Sequence, residues 1–121
     1  MYFFTADEHY NHANIIRFSN RPFRDTREMQ EVLIARNNEV VNDGDTVFHL
    51  GDFFWGGFTD MALGIIYQLN GDHWFLKGSH DRWQLGCRQQ HFYPYIHEEQ
   101  IESQYIVLCH YAMLTWPRSH Y

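Results

Sequence analysis

Short apolar and aromatic runs alternate along the chain with longer stretches in which apolar positions return at helical spacing. The first run, Tyr2 to Thr5, closes on Ala6-Asp7 and predicts a buried strand with a carboxylate at its carboxyl end. Asp25 followed three residues later by Glu28 has the form of a capping box. Met29, Val32, Leu33 and Val40 then recur up to Asn42-Asp43-Gly44, which predicts a helix from about Thr26 to Val41. Thr46 to Leu50 predicts a second strand, followed at once by Gly51-Asp52. Ala62, Ile65, Ile66 and Leu69 predict a helix that starts near Thr59 and closes at Asn70-Gly71, where glycine can take the left-handed cap.

His73 to Lys77 predicts a third strand, ending at Gly78-Ser79-His80-Asp81, and Tyr105 to Leu108 another, ending at Cys109-His110. Ile96 to Ile101 is ambiguous; one reading hairpins it to Tyr105–Leu108 through Glu102-Ser103. Strands alternating with helices imply βαβ units and a largely parallel sheet, an α/β fold whose ligands gather beyond the carboxyl ends of the strands. No repeat, low-complexity tract or linker divides the chain, so residues 1–121 are expected to form one domain.

Composition narrows the function classes. With 121 residues, 45% hydrophobic and 18% aromatic, the chain is expected to bury one core without disulfides or a structural metal. The formal net charge of −6 and the lack of a basic block leave no electrostatic footprint for duplex nucleic acid or an anionic membrane. Phosphate chemistry stays open, because bound cations can supply the positive charge. Cys87 and Cys109 have no CxxC spacing, so neither a disulfide framework nor a zinc ribbon is indicated. No signal peptide or membrane-spanning run is seen, and a cytoplasmic protein is expected.

The strand ends carry Asp7, His9 and His12, then Asp52, then His80 and Asp81, then His110. Carboxylates and imidazoles in one place suit Mn, Fe, Zn or similar divalent ions. A carboxylate bridging two such ions makes a clamp for in-line phosphoryl displacement.

In order and spacing these blocks resemble the calcineurin-like metallophosphoesterases, whose pattern runs DxH, GD, GNHD or GNHE, a lone His, then GHxH. Asp7-Glu8-His9 matches the first block, Gly51-Asp52 the second, Gly78-Ser79-His80-Asp81 the third with one change, and His110 the lone His. Asn14-Ile-Ile-Arg17, Asn20-Arg-Pro-Phe23, His49-Leu-Gly-Asp-Phe53 and Leu108-Cys-His-Tyr111 look like the small phage and bacterial branch. The resemblance implies an α/β sandwich and a hydrolase of phosphomonoesters or phosphodiesters using two divalent ions (Mn, Fe, Zn or Ni). It assigns Asp7 and His9 to the first ion, Asp52 to both, and His110 to the second. His80 becomes the leaving-group acid, oriented by a carboxylate such as Asp81. His12 is placed near substrate or metal-bound water. Arg17, Arg21 and Arg82 are candidates for pairing with a substrate phosphate, since guanidinium forks suit that geometry.

Two departures stand beside these matches. Ser79 occupies the place of an Asn that would ligate the second ion, and a hydroxyl is shorter and a poorer ligand. The sequence ends at Arg118-Ser-His-Tyr121 with no GHxH, and His120 alone does not replace it, so a weak second ion site and impaired hydrolysis are expected. The rival reading is therefore a non-catalytic metal-binding or interaction protein derived from a phosphoesterase. A nucleic-acid-binding module built on the aromatics is disfavoured by charge. His49 and His73 are expected as strand residues, His91 and His97 at the surface, and Cys109 as a small buried hydrophobe.

Overall fold

The structure is a computed structural model that describes residues 1–86 and 91–119; Cys87 and His120 lie outside these residues. Four strands, β1 (Tyr2–Thr5), β2 (Thr46–His49), β3 (Asp72–Leu76) and β4 (His91–Tyr93), form a wholly parallel sheet in sequential order. Two helices, α1 (Ala13–Phe18) and α2 (Thr26–Val40), lie between β1 and β2, and α3 (Thr59–Ile66) lies between β2 and β3. A 3-10 turn spans Trp83–Gly86. The remaining strands, β5 (Ile96–Ile101) and β6 (Gln104–Cys109), pair antiparallel as a separate hairpin.

The expected parallel sheet is therefore present, but the strand that precedes His110 belongs to the hairpin. Ile96–Ile101 alternates exposed and half-buried residues, the signature of a strand with one face covered, and Glu102 takes a left-handed φ of 54° in the turn to β6.

Alternation along the parallel strands separates two apolar clusters. Phe48 and Leu76 point to a cluster with Leu108 of the hairpin, flanked by Trp74, Tyr93, Ile101 and Ile106. Phe75 points the other way, into a cluster with Phe53, Phe54, Ala62, Ile65, Ile66 and Trp83, against which Leu33 and Ile34 of α2 pack. The sheet is thus covered by helices on one face and by the hairpin on the other. This is a mixed α/β architecture with a mostly parallel sheet.

Local signals explain most element ends. Asp25 caps α2 by accepting from the Glu28 amide at 2.8 Å, while Glu28 Oε2 accepts from the Arg24 amide at 2.6 Å, so the capping box closes one residue early. The helix predicted to run on to Asn70 ends at Ile66, and the chain then turns through Leu69 to Gly71, whose φ of 105° only glycine takes without strain. α1 and β4 were not predicted. α1 buries no residue fully and β4 is three residues long, so neither carries a periodic signal.

Candidate metal centre

The loops that leave β1 and β2 run side by side beyond the sheet. Leu50 N donates to Thr5 O at 2.7 Å, Asp7 N to Gly51 O at 3.0 Å, His9 N to Asp52 O at 2.9 Å and Tyr10 N to Phe53 O at 2.8 Å. This ladder fixes Asp7 and His9 opposite Asp52. It does so with left-handed φ values at Asp7 (59°), His9 (56°) and Asp52 (57°), a region that non-glycine residues seldom enter. Such strain persists only where surrounding bonds hold it, and it clusters at functional sites.

Asp52 Oδ2 is the hub. His80 Nδ1 donates to it at 2.7 Å and Ser79 Oγ at 3.3 Å. His110 Nε2 lies 3.5 Å away and His9 Nε2 3.6 Å away, and His9 Nε2 is also 3.7 Å from Asp7 Oδ1. Two groups of three donors share this carboxylate: His9, Asp52 and His80, and Asp7, Asp52 and His110. Asp52 is 3% exposed. Burial pushes its carboxyl pKa up, but the His80 amide and ring and the nearby His110 outweigh that and hold it below the usual range.

His110 supplies the observation that bears most directly on a cation. Its Nδ1 lies 2.9 Å from the carbonyl of Leu50, which can only accept, so Nδ1 carries the hydrogen. Nε2 is thereby turned towards Asp52 Oδ2, where a neutral ring would offer its lone pair to a cation. A lone pair and a carboxylate aimed at one space is the arrangement a positive ion resolves, and a backbone carbonyl on the distal nitrogen is how metal-binding histidines are commonly oriented. The donor set fits a divalent ion.

Two glycines let these parts meet. A Cβ at Gly51 would fall on the His110 ring, and one at Gly78 on the carboxylate and amide of Asp52.

Asp81 does not orient His80. Its carboxylate is 1% exposed and is filled by four donors: the amides of Asp52 (2.7 Å), Gly78 (2.8 Å) and Phe54 (3.1 Å) and the Trp83 indole (3.0 Å). It ties the two strand-end loops together, and Asp52 takes the orienting role expected of it. Arg21 is likewise a clamp: it donates to the carbonyls of Glu8 (2.6 Å) and Asp7 (2.7 Å), which turns its fork to the backbone. Arg17 is exposed on α1 and lies over the Phe18 ring. Ser79 does sit in the site, bonded to Asp52 and 3.1 Å from His80 Nδ1.

His12 is buried beside the centre, with Nδ1 3.0 Å from His9 Nδ1 and its ring stacked on Trp55. Burial lowers the pKa of both His9 and His12, which favours the neutral ring.

Behind the centre runs a buried line that the motifs did not signal. Glu8 Oε1 lies 2.8 Å from His49 Nδ1, His49 Nε2 2.8 Å from His73 Nδ1, and His73 Nε2 3.0 Å from the Asn70 carbonyl. His49 and His73 are strand residues, in β2 and β3, as expected, but they form this network. His97 is half-buried: its ring stacks on Tyr93 with centroids 3.7 Å apart and it bonds Glu99. His91 is exposed as expected, and Cys109 is only half-buried.

No family model matches the chain. It is 42% identical over 78 residues to the uncharacterized protein MJ1445 of Methanocaldococcus jannaschii, a match covering 64% of this chain and 44% of that protein. The crystal structure of AQ665, a protein of unknown function from Aquifex aeolicus, superposes with a TM-score of 0.76 at 27% identity, over 92% of this chain and 60% of that one. The chain thus spans about half the length of these relatives. Among the described residues no helix is long and apolar enough to cross a membrane.

Proposed function

We propose that the chain carries the dinuclear metal centre of a phosphoester hydrolase of calcineurin-like type. The observation that supports this reading is the convergence of Asp7, His9 and His110 on one buried carboxylate, Asp52, with His110 pinned in the tautomer that leaves Nε2 free to ligate. A carboxylate shared by two donor groups is what a pair of ions requires. On the family pattern Asp7 and His9 would hold one ion and His110 the other, with Asp52 shared; the donor groups themselves join Asp7 to His110 and His9 to His80 through Asp52, with Ser79 a weak neutral contact. Two divalent ions, when bound, would supply the positive charge that neutralises a phosphoryl group and its attacking water.

The chain's own residues supply the rest. His80 is held at Nδ1 by Asp52 and Ser79, and Nε2 has no hydrogen-bond partner among the described residues. Its side chain is 39% exposed on a pocket, so Nε2 is available to a substrate oxygen. In hydrolysis, water oxygen bonds to phosphorus, the bond from phosphorus to the alcohol oxygen breaks, and Nε2 gives that oxygen a proton. The water's proton leaves through solvent. Asp52 positions His80 as an aspartate positions the histidine of other acid–base pairs.

The test is metal-dependent hydrolysis of bis-p-nitrophenyl phosphate. Activity with Mn, low because the second ion is weakly held, should disappear with chelator and fall at least about a hundredfold in His80→Asn, the range for loss of a general acid. Full activity in chelator would overturn the reading.

A further inference from the structure

Against His80 lies a pocket that no metal-facing group fills. It is walled by Trp55, Gly56, Gly57, Ser79, His80 and Arg82 and has a volume of about 250 Å³. Trp55 is 41% exposed, which alone means little for a single aromatic residue. Its fixation is more telling. The Trp55 amide donates to Tyr10 O at 2.8 Å, its carbonyl accepts from Asn11 Nδ2 at 3.2 Å, and His12 stacks on the indole with centroids 4.0 Å apart and planes 13° from parallel. The indole centroid is 5.1 Å from that of His80. An aromatic surface so held loses little entropy when a second ring lies on it.

The polar walls complete a recognition set. Arg82 is exposed and has no ion-pair or hydrogen-bond partner among the described residues; a planar guanidinium can fork to a ring carbonyl or an anionic oxygen. A Cβ added at Gly57 meets nothing within 4 Å, so the space above that backbone is open. His80 lines this pocket, which therefore lies beside the side chain proposed to protonate the departing alcohol.

We infer that this pocket takes the base of a mononucleotide, so that the alcohol released is a nucleoside. The placement of the ester at His80 rests on the phosphoesterase reading; the seat for the base rests on the pocket alone. A small nucleotide is favoured over a polynucleotide because the chain carries a net charge of −6 and, among the described residues, Arg82 is the one arginine or lysine on the pocket wall.

Adenosine, which has no phosphate, separates the two. Chelator-treated protein is titrated with adenosine across the millimolar range while the indole N–H resonances are followed by NMR, with Trp55→Phe identifying that of Trp55. The Trp55 resonance should shift saturably. Gly57→Leu, which fills the open space, and Trp55→Leu, which removes the platform, should each weaken binding roughly tenfold or more. Absence of a Trp55 shift, or equal affinity in a folded Gly57→Leu protein, would overturn the pocket assignment. Adenosine binding without any metal-dependent hydrolysis of bis-p-nitrophenyl phosphate would leave the pocket standing and remove the hydrolase. Hydrolysis without adenosine binding would do the reverse.

Discussion

The amide of Asp52 donates a 2.7 Å hydrogen bond to Oδ2 of Asp81, and the same oxygen accepts from the Gly78 amide. One buried carboxylate thus holds the β2 and β3 loops in register, and Asp52 and His80 keep their places because of it. Asp81→Asn would put an amide N–H₂ or a lone carbonyl where both oxygens now accept. We expect a loss of about 2–4 kcal/mol in denaturant unfolding, from donors left unpaired in the interior. His80→Asn should leave unfolding nearly unchanged and lower only turnover. Equal unfolding midpoints for the two variants would contradict the division of labour between these neighbours.

Gly78 is required by packing, because any Cβ there would strike the Asp52 carboxylate. Gly78→Ala should cost about 1–3 kcal/mol through overpacking and weaken Mn binding by displacing Asp52. Gly57→Ala, in open space, should do neither. Calorimetric titration of both variants with Mn checks this.

Arg21 gives the clearest contrast between a clamp and a substrate ligand. Since its fork holds the Asp7 and Glu8 carbonyls, Arg21→Met should lower metal affinity and thermal stability together. A raised KM with stability and metal binding unchanged would show that Arg21 instead faces substrate.

Burial holds His73 down to about 4, well below the 6.5 of an exposed imidazole, with the nearby His49 adding to the shift. A folded-state pKa below the unfolded one means that the unfolded chain takes up the proton first. The contribution of His73 is therefore complete above pH 6.5 and is lost as pH falls through about 4, amounting to roughly 3 kcal/mol. Metal-free protein should unfold at lower urea as pH drops through this window. His73→Gln, though less stable at pH 7, should show a flatter dependence; parallel curves would contradict the assignment.

The fold and centre were partly legible in the sequence, for local reasons. β1 to β3 and α2 and α3 announce themselves because each is long enough to show its period, and the Asp and His residues follow directly on strand ends. The hairpin was readable through Glu102-Ser103, but a strand's sequence does not say which sheet it joins, so β6 was not separable from the parallel set. The bonding of Asp81 and Arg21 is not legible in the sequence, because spacing places a side chain near a site without saying which way it turns; four N–H groups hold Asp81 and two carbonyls hold Arg21. Trp55 was invisible as a site residue because an aromatic in a Gly-rich turn looks like any other packing group. The Glu8–His49–His73 line joins residues from three segments whose contact only the folded sheet creates.

The central claim is that Asp52 is the shared ligand of a metal pair. Elemental analysis after Mn loading and desalting, on the wild-type chain, Asp52→Asn and the exposed-residue control Glu31→Gln, tests it most directly. The account predicts bound Mn in the wild type and in Glu31→Gln and a near-complete loss in Asp52→Asn, because both donor groups run through that carboxylate. Equal metal content in all three proteins would contradict it.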